Sequence, residues 1–251
     1  ETDMRWNVFN RWDQYDNRWD QNNNSFGNGY NSGLKSGKET AESLQDKHNF
    51  MIPYADTTQN ATLELDAAAG SFSLIDTTSE LLTFSQVGTY RSLYQYDVYR
   101  NNHDVKVNIS EKRENIFYRK SHKRVTIRLN PKPIWDISLN AGASSVNYDL
   151  SKFKVKKISL DGGAGSFKIT LGDKYPDVKI DIDAGASSLT LRVPESTGCD
   201  LEITAVMSGK YLPGFNKVSS GHYQTENYDA AKNKIHLNVD AAVSSFRIIR
   251  Y

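Results

Sequence analysis

One phrase, written three times between Ile137 and Leu191, constrains this chain more than any other feature. It reads Ile137-Ser-Leu-Asn-Ala-Gly-Ala-Ser-Ser-Val-Asn-Tyr-Asp-Leu150, then Ile158-Ser-Leu-Asp-Gly-Gly-Ala-Gly-Ser-Phe-Lys-Ile-Thr-Leu171, then Ile180-Asp-Ile-Asp-Ala-Gly-Ala-Ser-Ser-Leu-Thr-Leu191. The serines that open the second apolar run, Ser145, Ser166 and Ser188, lie 21 and 22 residues apart. Such a period identifies one structural repeat. Fainter copies run from Leu63 to Leu74, marked by Ser71, and from Ile235 to Ile248, marked by Ser245.

Two alternating apolar runs flank a cluster of Ala, Gly and Ser in every copy. In the third copy Ile180 and Ile182 precede the cluster, and Leu189, Leu191 and Val193 follow it with polar residues between. A period of two means strand. Asp183-Ala-Gly-Ala-Ser-Ser188 has no bulky side chain, so the backbone can turn there and lie close against the same turn of the next copy. A unit this short cannot bury its own apolar face, and stacked units complete one another's cores. The expected fold is all-β: a right-handed parallel β-helix or closely related β-solenoid with repeats of about 21–22 residues, preceded by a helical or disordered N-terminal extension.

The boundary of that extension is legible from composition. Trp6, Phe9, Trp12, Tyr15 and Trp19 sit among Arg, Asp and Asn at steps of three and four, which places the rings along one broad side of a helix. Such a helix packs on its own domain or lies at a bilayer interface, where Trp and Tyr with flanking Arg are favoured. Ten of the thirteen residues 21–33 are Asn, Gly or Ser, a flexible linker. A short helix is expected within 35–47, chiefly Thr40 to Lys47. Residues 1–48 are therefore assigned to the extension and linker, and 49–251 to the β-solenoid domain. Met51-Ile-Pro-Tyr54 is the first apolar cluster able to edge a sheet, and Pro53 suits an edge.

Between the first copy and the second the phrase is lost while strand character persists, over 93–99, 105–109, 116–118 and 125–129. Asn101-Asn-His-Asp104 marks a hairpin turn, since Asn tolerates positive φ. Trp135 is expected in the core or at its rim. After Pro194 a further strand over 198–205 leads into an excursion over 207–229. A final strand pair over 235–249 is expected to cap the stack, with the arginines of Phe246-Arg-Ile-Ile-Arg-Tyr251 blunting an exposed edge.

Little in the chain carries chemistry. Asp66, Asn140, Asp161, Asp183 and Asn238 occupy one recurring place before each small-residue turn, and stacking brings them toward a ladder. A ladder of this kind is either a calcium site or carboxylate pair of a polysaccharide-cleaving enzyme, or a set of Asx side chains holding the turns. The second is preferred, because Asn alternates with Asp and no basic residue recurs beside them. His48, His103, His122, His222 and His236 show no metal-ligand spacing and are expected at the surface. Cys199 is the lone cysteine, with no basic neighbour in sequence to lower its pKa. Nucleophile-elbow, P-loop and dinucleotide motifs are absent. No catalytic, cofactor-binding or metal residue is assigned, no cofactor is expected, and the chain is read as a non-enzyme. Lys and Arg number 31 against 30 Asp and Glu, which argues against nucleic acid as partner. Arg119-Lys-Ser-His-Lys-Arg124 is a local basic run of the kind found in solvated loops. No segment reaches the roughly 18 apolar residues of a membrane span, and the chain starts at Glu1, so an anchor is expected upstream.

Asn130-Pro-Lys-Pro-Ile-Trp-Asp-Ile-Ser-Leu139, the Gly-Ala-Ser-Ser and Gly-Ala-Gly-Ser turns, and Ala184-Gly-Ala-Ser-Ser-Leu-Thr-Leu-Arg-Val-Pro-Glu195 resemble the C-terminal domain of LiaF-like proteins, the cell-wall-active antibiotic response family, whose related domains are called toastrack. The resemblance covers roughly 50–251 and is strongest over 125–195. It implies a β-solenoid-like domain of the cell envelope, membrane-anchored in the full-length protein. It further implies a regulator of envelope-stress signalling whose partner is a membrane protein such as a sensor kinase, or a wall component. The side of the membrane is open. A surface adhesin or structural solenoid is the alternative, with Tyr90, Tyr94, Tyr96 and Tyr99 and the loop bearing Tyr211, Phe215 and Tyr223 as contact surfaces. A polysaccharide lyase or hydrolase is a third. Self-association into a homo-oligomer is compatible with each.

Overall fold

The computed structural model describes residues 46–89, 93–112, 122–185, 187–204, 209–241 and 245–251. Every regular element among them is a β-strand. The aromatic segment 1–20, the Asn-rich linker and the strand expected over 116–118 lie outside these residues. So does the expected helix up to 45; its last two positions, Asp46 and Lys47, are strand.

The repeated phrase becomes a two-armed layer. In β2 (Asn60–Thr77) and β7 (Ile134–Leu150) the phrase is one long strand. Later copies split at the corner into β8 (Lys154–Gly162) and β9 (Gly165–Leu171), β10 (Asp177–Ala184) and β11 (Ser187–Val193), and β16 (Lys234–Ala241) and β17 (Ser245–Arg250). Along β7 the buried positions are Trp135, Ile137, Leu139 and Ala141 before the corner, and Ser144, Val146, Tyr148 and Leu150 after it. The one-residue change of parity turns the same face inward on both arms, as a period of two requires when the backbone bends.

First arms stack on first arms and second arms on second arms. The first ladder runs β4 (Tyr94–Asn101), β5 (Asp104–Glu111), β2, β7, β8, β10, β16, β12 (Gly198–Ile203), β15 (His222–Thr225), β14 (Phe215–Ser219). The second runs β1 (Asp46–Ile52), β3 (Leu82–Thr89), β6 (His122–Leu129), β2, β7, β9, β11, β17, β13 (Lys210–Tyr211). Pairing is parallel from β5 to β12 and from β6 to β13, and antiparallel beyond. In register, Leu63, Ile137, Ile158, Ile180, Leu237 and Leu201 form one inner row, and Phe72, Val146, Phe167, Leu189 and Phe246 form the facing one. All eleven are buried. Sandwiched between neighbours above and below, each such side chain contributes roughly 1.5–3 kcal/mol of transfer free energy.

The layers do not follow chain order at either end. β2, the first copy, lies between β5/β6 and β7; the chain leaves it, builds the terminal layer, and returns on its other side. The last copy, β16/β17, enters between β10/β11 and β12/β13. The sequence expectation of a C-terminal cap is thereby corrected. Arg247 is not on a bare edge, because it pairs with Thr190 on one side and Tyr211 on the other. Terminal positions of the first ladder are filled instead by the hairpins β4–β5 and β14–β15, and those of the second by the antiparallel β3 and β1 on one side and the two-residue β13 on the other.

At one end β4 and β5 pair across Asn102, whose φ of 50° fits the expected turn. Phe50 of β1 stacks on Phe84 at 4.5 Å and on Tyr96 at 4.3 Å, so side chains from both ladders plug the core. β1 ends the second ladder just before Pro53 and starts at Asp46, three residues ahead of the expected domain start.

Candidate functional site

The turn ladder is present with one member exchanged. Asp66, Asn140, Asp161 and Asp183 are partners in adjacent layers, and the next partner is Asp240, not Asn238. Asn238 stands two residues earlier, opposite Asp181 and Glu202. Counting back from the serine marker would have found Asp240, since Ser188 and Ser245 are themselves in register. All five ladder side chains are exposed, and Asn140 Nδ2 donates to Asp66 Oδ1 at 3.0 Å. Among the described residues no three His, Cys, Asp or Glu side chains come together as a metal-binding group. The amide–carboxylate bond ties two neighbouring layers beside the corner.

Two histidines are brought together that the sequence holds apart. β12 lies between β15 and β16, so Asp200 meets His222 on one side and His236 on the other. His222 Nε2 is 2.6 Å from Asp200 Oδ1; His236 lies 3.9 Å from Asp200 Oδ2 through Nδ1 and 3.2 Å from Asp177 Oδ1 through Nε2. Tyr228 stands edge-on to the His236 ring at 6.4 Å. These groups clasp β10, β16, β12 and β15, the strands whose order departs from the chain. No local spacing signals the cluster, because it exists only once β16 has been inserted. His48 and His103 contact the carbonyls of Tyr94 and Thr57, each at 2.9 Å. The His122 side chain lies outside the described ones.

Cys199 has the basic neighbour that its local sequence lacks. Arg250 Nη1 donates to Sγ at 3.2 Å, while Arg250 Nη2 donates to the carbonyls of Glu195 and Thr197. Burial nevertheless pushes the thiol pKa up, outweighing the guanidinium and the Thr197 hydroxyl. A buried neutral thiol is a poor nucleophile, so Arg250 acts as a staple for the C-terminus.

The expected aromatic contact surfaces divide. Tyr94 and Tyr223 are buried, while Tyr96 and Phe215 are partly buried against the core. Tyr99 and Tyr211 are exposed, at 59% and 58%. Tyr90 lies outside the described residues. Of the basic run, Lys123 is buried in an ion pair with Glu111 at 2.5 Å, and Arg124 is exposed.

Acidic side chains gather beside the corner of the first ladder. On the first ladder the two outward rows nearest the corner hold Glu64, Asp66, Asp161, Asp181, Asp183 and Asp240 among Asn and Ser, with no Lys or Arg in register. On the second ladder the serine markers Ser71, Ser145, Ser166, Ser188 and Ser245 form a row beside one containing Lys168, Thr190, Arg247 and Tyr211. Sequence patterning identified the strands but not this segregation, which depends on which arm each residue joins.

Among solved structures, a candidate cell adhesion protein from Clostridium sporogenes superposes with a TM-score of 0.72 at 21% identity, covering 82% of this chain and 100% of that one. A candidate adhesin from Bacteroides fragilis aligns at 8% identity over 86% of this chain and 100% of its own, with a TM-score of 0.27. No curated protein matches the sequence. The family model described as the N-terminal domain of toast_rack, DUF2154, matches residues 37–192, more than half of the chain. This chain belongs to the Toast_rack_N family.

Proposed function

We propose that the chain is a non-enzymatic binding domain of the cell envelope, held at a membrane in the full-length protein and acting on a membrane or wall partner. The observation that carries this reading is the stack itself: layers in register present two broad outer faces of regularly spaced polar side chains, with acidic rows beside the corner on one and a row bearing Lys168 and Arg247 on the other. A rigid face of that kind suits recognition of an extended surface, and rigidity lowers the ordering cost of binding. Family membership and the adhesion name of the Clostridium sporogenes neighbour support a surface role. Among the described residues no helix is long and apolar enough to cross a membrane. In this proposal the anchor is a segment outside this sequence. The coils are taken to wind to the right, as crossovers between parallel strands of one sheet do.

The finer proposal, a LiaF-like regulator of envelope-stress signalling, rests on the motifs over 125–195 and is testable in cells. The full-length protein is crosslinked in resting cells and after wall-antibiotic treatment, and the co-purifying proteins are identified by mass spectrometry. A membrane sensor protein whose yield changes with treatment is the expected result. Recovery of no membrane protein in either state overturns the regulatory role, and recovery of surface polymer alone favours the adhesin.

A further inference from the structure

The outer face of the second ladder carries one row that differs from the rest of the surface. Lys168 on β9, Thr190 on β11, Arg247 on β17 and Tyr211 on β13 are partners on four successive strands, all pointing away from the core. With strands about 4.8 Å apart, Lys168 and Arg247 stand roughly 10 Å apart along a straight line, and Tyr211 follows one step on. Arg192, two residues beyond Thr190, lays its guanidinium 4.7 Å from the Tyr251 ring. Lys168, Arg192 and Arg247 make no ion pair with a carboxylate among the described residues. By contrast Lys106 and Lys157 on the first ladder pair with Glu64 and Asp181. The adjoining row is hydroxyl: Ser166, Ser188 and Ser245.

We propose that this face binds a linear anionic polysaccharide, with its acidic groups on Lys168, Arg192 and Arg247 and a sugar ring against Tyr211. The inference deepens the envelope-binding reading and rests on it. Unpaired cations at regular intervals match a polymer that repeats its negative charge, and binding breaks no existing salt bridge. The serine row and Thr190 offer hydroxyl donors and acceptors for sugar hydroxyls. Tyr211 offers an amphipathic ring whose apolar face is open. The acidic rows of the first ladder repel the same polymer, which directs it to this face.

The test uses the purified 251-residue chain and polygalacturonate, with uncharged dextran and inorganic polyphosphate as comparisons. Binding to polygalacturonate that weakens with salt, and none to dextran, is expected. Lys168→Gln combined with Arg247→Gln should lower affinity at least about tenfold. Tyr211→Ala should lower it about three- to tenfold while leaving the salt dependence unchanged. Lys157→Gln combined with Lys179→Gln removes equal charge from the other face and should change nothing; circular dichroism verifies that each variant is folded. Failure to bind polygalacturonate, or equal losses in the two double variants, overturns the proposal. Polyphosphate bound as tightly, with Tyr211→Ala silent, overturns the polysaccharide assignment. No cellular partner is needed, so a negative crosslinking result leaves this one standing, and the converse also holds.

Discussion

A β-carbon placed on Gly165 would lie 2.3 Å from the carbonyl oxygen of Ser144 in the layer below, whereas one on Gly163 would come no closer than 3.4 Å to Gly142. Neither glycine has positive φ, so what the corner demands is closeness between layers. Gly165→Ala should cost about 1–3 kcal/mol and Gly163→Ala a few tenths at most, a contrast that urea unfolding of the two variants measures. Tyr148 poses the opposite case. Its hydroxyl is buried with no hydrogen-bond partner, and desolvation, followed by the Tyr94 phenol, holds its pKa well above the usual tyrosine range. Below about pH 10 both states are protonated and the shift contributes nothing. As pH rises past the unfolded value the unfolded phenol ionises while the folded one cannot, so stability falls with a slope approaching ~1.4 kcal/mol per pH unit. Tyr148→Phe should be neutral or stabilising at pH 7 and should flatten this alkaline loss, as read from unfolding midpoints between pH 9 and 11.

At the scale of elements, the terminal plug and the inserted strands decide whether the stack closes. Lys123 of β6 is buried against Glu111 at the end of β5, with its ammonium also 5.2 Å from the Tyr94 ring. Removing one partner strands a buried charge, so Glu111→Ala should cost about 3–5 kcal/mol and be only weakly affected by added salt. The other end depends on β16 and β17. Each is bordered on both sides by strands earlier in the chain, so a chain ending at Asn233 leaves β12 without β16 and β11 without β17. Limited proteolysis of that truncation should cut within 198–203, a strand paired on both sides in the intact domain.

Across the whole molecule, a stack whose ends are laced out of order should unfold as one unit. In a sequential solenoid, terminal coils can fray while central ones persist. Here the last chain segment is held between two layers, and the His222–Asp200–His236–Asp177 clasp spans four strands. Leu237 lies in the β16 layer, and Trp135, fully buried with Nε1 donating to the Asn130 carbonyl, lies in the β7 layer. With Trp6, Trp12 and Trp19 replaced by Phe, Trp135 fluorescence reports its own layer. Leu237→Ala should cost about 2–5 kcal/mol and shift the Trp135 transition and the circular dichroism transition equally. A Trp135 midpoint that stays in place would show independent unfolding of the layers.

The repeated phrase alone determined that the chain is β, that small residues make its corners, and that Ser71, Ser145, Ser166, Ser188 and Ser245 would share a row. Alternation and the absence of bulk are local properties, and every copy carries them. The hairpin at Asn102 was legible for the same reason, since positive φ is a preference of the residue itself. Which copy lies beside which was decided only by the tertiary structure. Adjacent layers have near-equivalent inner faces, so apolar pattern does not rank one neighbour above another; connection lengths and the demands of two exposed ends do. That ordering places Asp200 between two histidines and Arg247 between Thr190 and Tyr211. In the candidate binding row Lys168, Thr190 and Arg247 share one offset from the serine marker, whereas Tyr211 belongs to no copy of the phrase and joins them only through stacking order.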